Sequence, residues 1–136
     1  MATLACERGR GTAHDRVVQV VAERFADPSK YRIQTCRKRG GRLRDEASPP
    51  MPDIAGCRRG KREAGIEWVA EVETEDTLSE AQAFGQWKRS AALLVPLYLI
   101  VPKGQRLTAE SLAFRAGVKV MHVFEYAIEA QSVDFS

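Results

Sequence analysis

Three acidic residues have the type and spacing best suited to chemistry: Asp53, Glu71 and Glu73. The two glutamates end the stretch Ile66-Glu-Trp-Val-Ala-Glu-Val-Glu73. This stretch reads as a β-strand, with β-branched and aromatic residues and no helix punctuation. Side chains alternate across a strand, so Ile66, Trp68, Ala70 and Val72 share one face, and Glu67, Val69, Glu71 and Glu73 the other. Carboxylates at i and i+2 then stand side by side, roughly 6–7 Å apart at the backbone. Such a pair repels unless it is solvated, protonated or holding a cation. Mg²⁺ takes oxygen ligands, typically one or two protein carboxylates with water and phosphate. A metal centre is one reading and a solvated sheet face the other; the spacing alone leaves both open.

The charge distribution narrows the choice. The net charge is only +3 over 136 residues, yet eleven Lys or Arg against three acids fall between Lys30 and Arg62. Seven acids and no base follow between Glu63 and Glu80. A basic lobe beside an acidic strand suits a protein that grips a polyanion while holding a metal. The plainer alternative is a set of solvated loops rich in Arg and Lys.

Other classes of chemistry have less support. Cys6, Cys36 and Cys57 form no CxxC pair and are odd in number, and the only histidines are His14 and His122, so neither a disulfide framework nor a Cys/His zinc site is expected. The longest apolar run, Ala91 to Val101, contains Pro96 and is too short to span a bilayer. The N-terminal residues lack the apolar run of a signal peptide. One cytoplasmic domain over 1–136 without a membrane segment is expected, its 44% hydrophobic content sufficient for a core.

The elements that must position the acids follow in order. Residues 1–11 are expected to be a flexible arm. Thr12 caps a helix whose apolar face is Val17, Val18, Val21 and Phe25, with Arg16, Gln19 and Glu23 opposite and Asp27-Pro28 at its end. Tyr31 to Cys36 is a short strand. The region 37–62 is a long basic connection, punctuated by glycine and proline, with a strand at 53–58. After the acidic strand, Thr77 or Ser79 caps a helix to about Leu94, whose buried stripe is Phe84, Trp87, Ala91 and Leu94. Lys88 lies at the edge of that stripe and Gln86 points away. Pro96 to Val101 is a near-continuous apolar strand, parallel to the acidic one. Thr108 caps a helix over 109–116 that ends at Gly117. Val118 to Tyr126 is the last strand, placing His122 on a partly apolar face as a packed residue. The tail, 127–136, is left without an assignment.

Taken in order, helix, strand, strand opening with Pro52-Asp53, strand ending in Glu71-Val72-Glu73, helix and strand resemble the PD-(D/E)XK nuclease superfamily. The start Gly11-Thr-Ala-His-Asp15 is similar to the first helix of Holliday-junction-resolvase-like members. The resemblance implies an α/β, restriction-endonuclease-like fold, a central mixed sheet flanked by helices. It implies that Asp53 and Glu71 bind Mg²⁺ (or Mn²⁺), with Asp15 as an accessory acid. The position two after the glutamate is usually lysine; here it is Glu73, as in some restriction enzymes of this fold. In other members the following helix supplies the lysine, and Lys88 is the candidate.

The implied activity is metal-dependent hydrolysis of phosphodiester bonds. The metal would neutralise developing charge, Glu73 would orient water, and Lys88 would stabilise the phosphate. Arg37, Lys38, Arg39, Arg42, Arg44, Arg58, Arg59, Lys61 and Arg62 would contact the backbone of DNA, or of RNA. Nucleases of this fold and size often act as homodimers. The alternatives are an inactive member that binds nucleic acid or a protein partner, and an assembly subunit whose basic loop meets an acidic neighbour.

Overall fold

The computed structural model describes residues 12–24, 27, 29–35, 52–60, 65–129 and 132–136. The arm 1–11, Phe25, Cys36 and most of the connection 37–62 lie outside the described residues. Helix α1 (Thr12–Arg24) precedes strands β1 (Tyr31–Thr35), β2 (Ile54–Arg58) and β3 (Ile66–Val72). A continuous helical segment follows: α2 (Glu80–Gln82), a π-helical turn (Ala83–Trp87) and α3 (Lys88–Ala91). Then come β4 (Leu97–Pro102), α4 (Arg106–Ala116), β5 (His122–Glu129) and β6 (Ser132–Phe135).

The six strands form one sheet in chain order. Strands β1, β2 and β3 are an antiparallel meander; β4 and β5 add in parallel through helical crossovers, and β6 turns back antiparallel on β5. The molecule is thus α/β with a mixed sheet. Parallel strands covered on both faces need apolar residues at successive positions. Strand β4 obeys: five of its six residues are buried and Tyr98 is half-buried.

Alternation along the strands divides the core. Val69, Leu97, Leu99 and Val101 face Ala83 and Trp87 of the helical segment and Ala109, Leu112 and Ala113 of α4. On the other face Ala70, Val72 and Ile100 meet Val17, Val18 and Val21 of α1. The expected apolar face of α1 is therefore the packed one, and Gln19 and Glu23 are exposed.

Several boundaries differ from expectation. The buried stripe of the second helical segment is Ala83, Gln86, Trp87 and Ser90, one position away from the expected one, while Phe84 is 49% and Leu94 90% exposed. Helix α4 begins at Arg106, before Thr108, because the Glu125 carboxylate of β5 accepts the Arg106 N–H at 2.8 Å. That contact caps the helix from across the chain and lowers the Glu125 pKa. Gly117 closes α4 with φ 72°, as expected. Strand β5 starts at His122 because Val118 is taken up by the core over α4; the histidine is exposed, with its ring 4.5 Å from that of Phe124. The tail supplies β6. Among the described residues, no helix is long and apolar enough to cross a membrane.

Candidate functional site

The antiparallel register of β2 and β3 places Ile54 opposite Ala70. Asp53, one residue before Ile54, lies at the end of the sheet where β3 and β4 finish. Asp53 is 3% exposed. Its Oδ2 accepts the Val72 N–H at 2.8 Å and lies 3.3 Å from His14 Nε2. His14, in the first turn of α1, is also buried, and its Nδ1 is 3.6 Å from Asp15 Oδ1. The Asp15 side chain is 43% exposed. His14 thus stands between the accessory acid and the Pro-Asp carboxylate.

Glu71 and Glu73 project to the opposite face, under the helical segment, and both are fully buried. Buried carboxylates require donors. Ser90 Oγ donates to Glu71 Oε2 at 2.5 Å and Gln86 Nε2 at 3.3 Å. Trp87 Nε1 donates to Glu73 Oε2 at 2.8 Å, and Gln82 Nε2 reaches both oxygens at 3.2–3.3 Å. Tyr126 O–H donates to the Glu73 carbonyl at 2.9 Å. Burial pushes the Tyr126 phenol up to about 12, and the charges of Glu75 and Glu73 act in the same direction.

The π-helical turn explains how the helix meets this demand. Single π turns admit an extra residue and are frequent at functional sites. Here the turn brings Gln86, Trp87 and Ser90 onto the strand and leaves Phe84 outside. Exposing a phenyl ring costs less than leaving a buried carboxylate without donors. Gln82, Gln86 and Ser90 recur every four residues, a polar helical stripe facing acids at i and i+2 of a strand. That stripe was the readable signal for the donors, and His14 was a second residue overlooked as a site member.

The remaining candidates lie elsewhere. Lys88 is exposed, with Nζ 5.6 Å over the Phe84 ring. Arg58 binds Glu67 through Nε and Nη2 at 2.9–3.2 Å; this hydrogen bonding raises its pKa. Arg59 is exposed and its N–H donates to the Lys30 carbonyl. Arg37, Lys38, Arg39, Arg42, Arg44, Lys61 and Arg62 lie outside the described residues.

A cavity of about 420 Å³ opens at the same end of the sheet, lined by residues including Ala13, Thr74, Glu75, Asp76 and Lys103. Ligands of open α/β sheets bind outside the carboxyl ends of the parallel strands, and this recess lies there. The donor types, carboxylate oxygens, suit a hard cation. As placed, Asp53 turns to α1 and Glu71 to the helical segment, and among the described residues no group of three His, Cys, Asp or Glu side chains is arranged to hold a metal ion. No protein-family model, curated protein or solved structure matches the chain.

Proposed function

We propose that this chain is a metal-dependent nuclease, or a nuclease-like DNA-processing protein, of the restriction-endonuclease-like PD-(D/E)XK type. The observation that carries the reading is the Asp53 carboxylate accepting the Val72 N–H, beside Glu71 at the carboxyl end of β3. The antiparallel meander followed by a helical crossover into parallel β4 supports the same reading. Asp53 and Glu71 would supply the oxygen ligands, with Asp15 as the accessory acid at the rim. Bound there, Mg²⁺ or Mn²⁺ would neutralise charge on the scissile phosphate and lower the pKa of an attacking water.

The chain's own residues have separate tasks. His14 and the Val72 N–H orient Asp53, and Ser90 and Gln86 orient Glu71. Glu73 occupies the position where lysine is usual and is fixed by Trp87 and Gln82. Lys88 would have to leave the Phe84 ring to reach a phosphate. The exposed bases Arg58 and Arg59 would hold the nucleic-acid backbone, DNA first and RNA as the alternative.

Complete burial of Glu71 and Glu73 favours a second reading, a member of this fold that binds nucleic acid or a protein partner without cutting. Nicking of supercoiled plasmid separates the two. The nuclease reading expects Mg²⁺- or Mn²⁺-dependent nicking that is lost in Glu71→Ala. Salt-sensitive DNA binding with no nicking under either metal would leave the second reading in its place.

A further inference from the structure

The face of the sheet that carries α1 is only partly covered by it. Beside the helix lies a cavity of about 520 Å³, walled by Val21 of α1 and by a row of rings from four strands. Tyr31 of β1 is 6.0 Å from Trp68 of β3, Trp68 is 6.4 Å from Tyr98 of β4, and Tyr98 is 6.2 Å from Phe124 of β5. All four are half-buried, so their rings line a recess open to solvent.

The row crosses β2 without an aromatic residue of its own, and Gly56 shows why. A Cβ at Gly56 would lie 2.3 Å from the Trp68 indole, which therefore rests directly on the β2 backbone. The indole packs on β2 through its Nε1–Cζ2 side and also lines the cavity. Tyr31 and Tyr98 stand at 81° and 82° to it, one on each side. Such a box suits a flat ring lying on Trp68, with the tyrosine edges around it.

The charge at one end of the row selects among flat ligands. Tyr31 pairs with Arg58, and the Arg58 guanidinium sits 5.8 Å from the Tyr31 ring. The Arg59 N–H donates to the Lys30 carbonyl, and Arg32 is the next residue on β1. Register thus gathers Lys30, Arg32, Arg58 and Arg59, all exposed, at the Tyr31 end, against two acids, Glu67 bound to Arg58 and Asp27 beside Lys30. Aromatic faces beside a cationic rim are the combination that holds single-stranded nucleic acid, the bases stacked and the phosphates neutralised. Duplex bases are already stacked and present no free face.

We infer that this groove binds an unpaired stretch of nucleic acid, with at least one base stacked on Trp68 between Tyr31 and Tyr98. The inference deepens the nucleic-acid reading above by naming single-stranded substrate, and it does not require cleavage.

The test is fluorescence anisotropy of labelled oligothymidylate and of a duplex of equal length, in EDTA so that nothing is cut. The single strand is expected to bind more tightly than the duplex. Tyr98→Ala is expected to weaken it roughly tenfold, with Trp68→Ala doing the same where circular dichroism shows it folded. Tyr98→Phe, which keeps the ring, should restore binding. Intrinsic tryptophan emission should be quenched on binding and should lose that response in Trp68→Phe, because Trp87 is fully buried. Equal affinity for duplex and single strand, unchanged in Tyr98→Ala, overturns the inference. So does a Tyr98→Ala effect on sedimentation of the free protein alone, which would give the groove to a second copy. Single-strand binding without plasmid nicking removes the nuclease and keeps the groove; nicking without single-strand binding does the reverse.

Discussion

Asp53, Glu71 and Glu73 are three carboxylates with little access to solvent, and their partners decide what each can do. Ser90, Gln86, Trp87 and Gln82 spend their donors on the two glutamates, while His14 and a backbone amide hold the aspartate. The acids and their i, i+2 spacing were legible in the sequence because alternation on a strand is a local property. Their partners were legible only as a polar stripe, Gln82, Gln86 and Ser90, because which face of a helix meets a strand is settled only when both pack. Tyr126 offers a test of this buried region through pH. Its folded pKa, about 12, exceeds the ordinary value of about 10, so the proton is kept longer in the folded state than in the unfolded one. The resulting stability is complete below about pH 10 and is lost as pH rises toward 12. Tyr126→Phe removes the hydrogen bond to the Glu73 carbonyl, costing roughly 1 kcal/mol at neutral pH. The gap between wild type and Tyr126→Phe in urea unfolding should narrow between pH 10 and 12; a constant gap would show that the phenol titrates as if unfolded.

Elements were more legible than the faces they present. Strands β1 to β4 and helix α1 fall close to their expected positions, since period-2 and helical patterns with proline and glycine stops are written locally. The second helical segment was found but rotated by one residue, because its stripe was assigned from apolar residues alone. Phe84 and Leu94 made an apolar face on paper; the buried glutamates claimed Gln86 and Ser90 instead. Leu94 then ends the segment with φ 62°, a left-handed conformation that glycine adopts more cheaply. The start of α4 escaped because its cap, Glu125, lies nineteen residues away on β5. If the buried carboxylates set the orientation of this segment, removing one donor should be costly. Ser90→Ala is expected to lower unfolding stability by about 1–3 kcal/mol, the range for a buried acceptor left short of a partner. A loss below about 0.5 kcal/mol, the usual size at a neutral surface site, would mean that apolar packing alone orients the helix.

At the scale of the whole molecule, one sheet separates two chemistries. The carboxyl ends of β3 and β4 gather the acids, and the Tyr31 end of the β1–β2 pair gathers exposed bases and the open ring row. Of the basic stretch in the sequence, Lys30, Arg32, Arg58 and Arg59 are the described members, and they sit at the Tyr31 end. Nothing local could have revealed the ring row, since Tyr31, Trp68, Tyr98 and Phe124 come from four separate strands. The proposed metal site requires Asp53 and Glu71, turned to α1 and to the helical segment, to converge on one divalent cation. Thermal melting with and without Mn²⁺ reads this out in wild type and in the near-isosteric Asp53→Asn. A metal at ten times its dissociation constant stabilises by about 1.4 kcal/mol, which raises the wild-type melting temperature by about 3–6 °C. Wild type should show that rise and Asp53→Asn none; no rise in wild type, or an equal rise in both proteins, would rule out the shared cation.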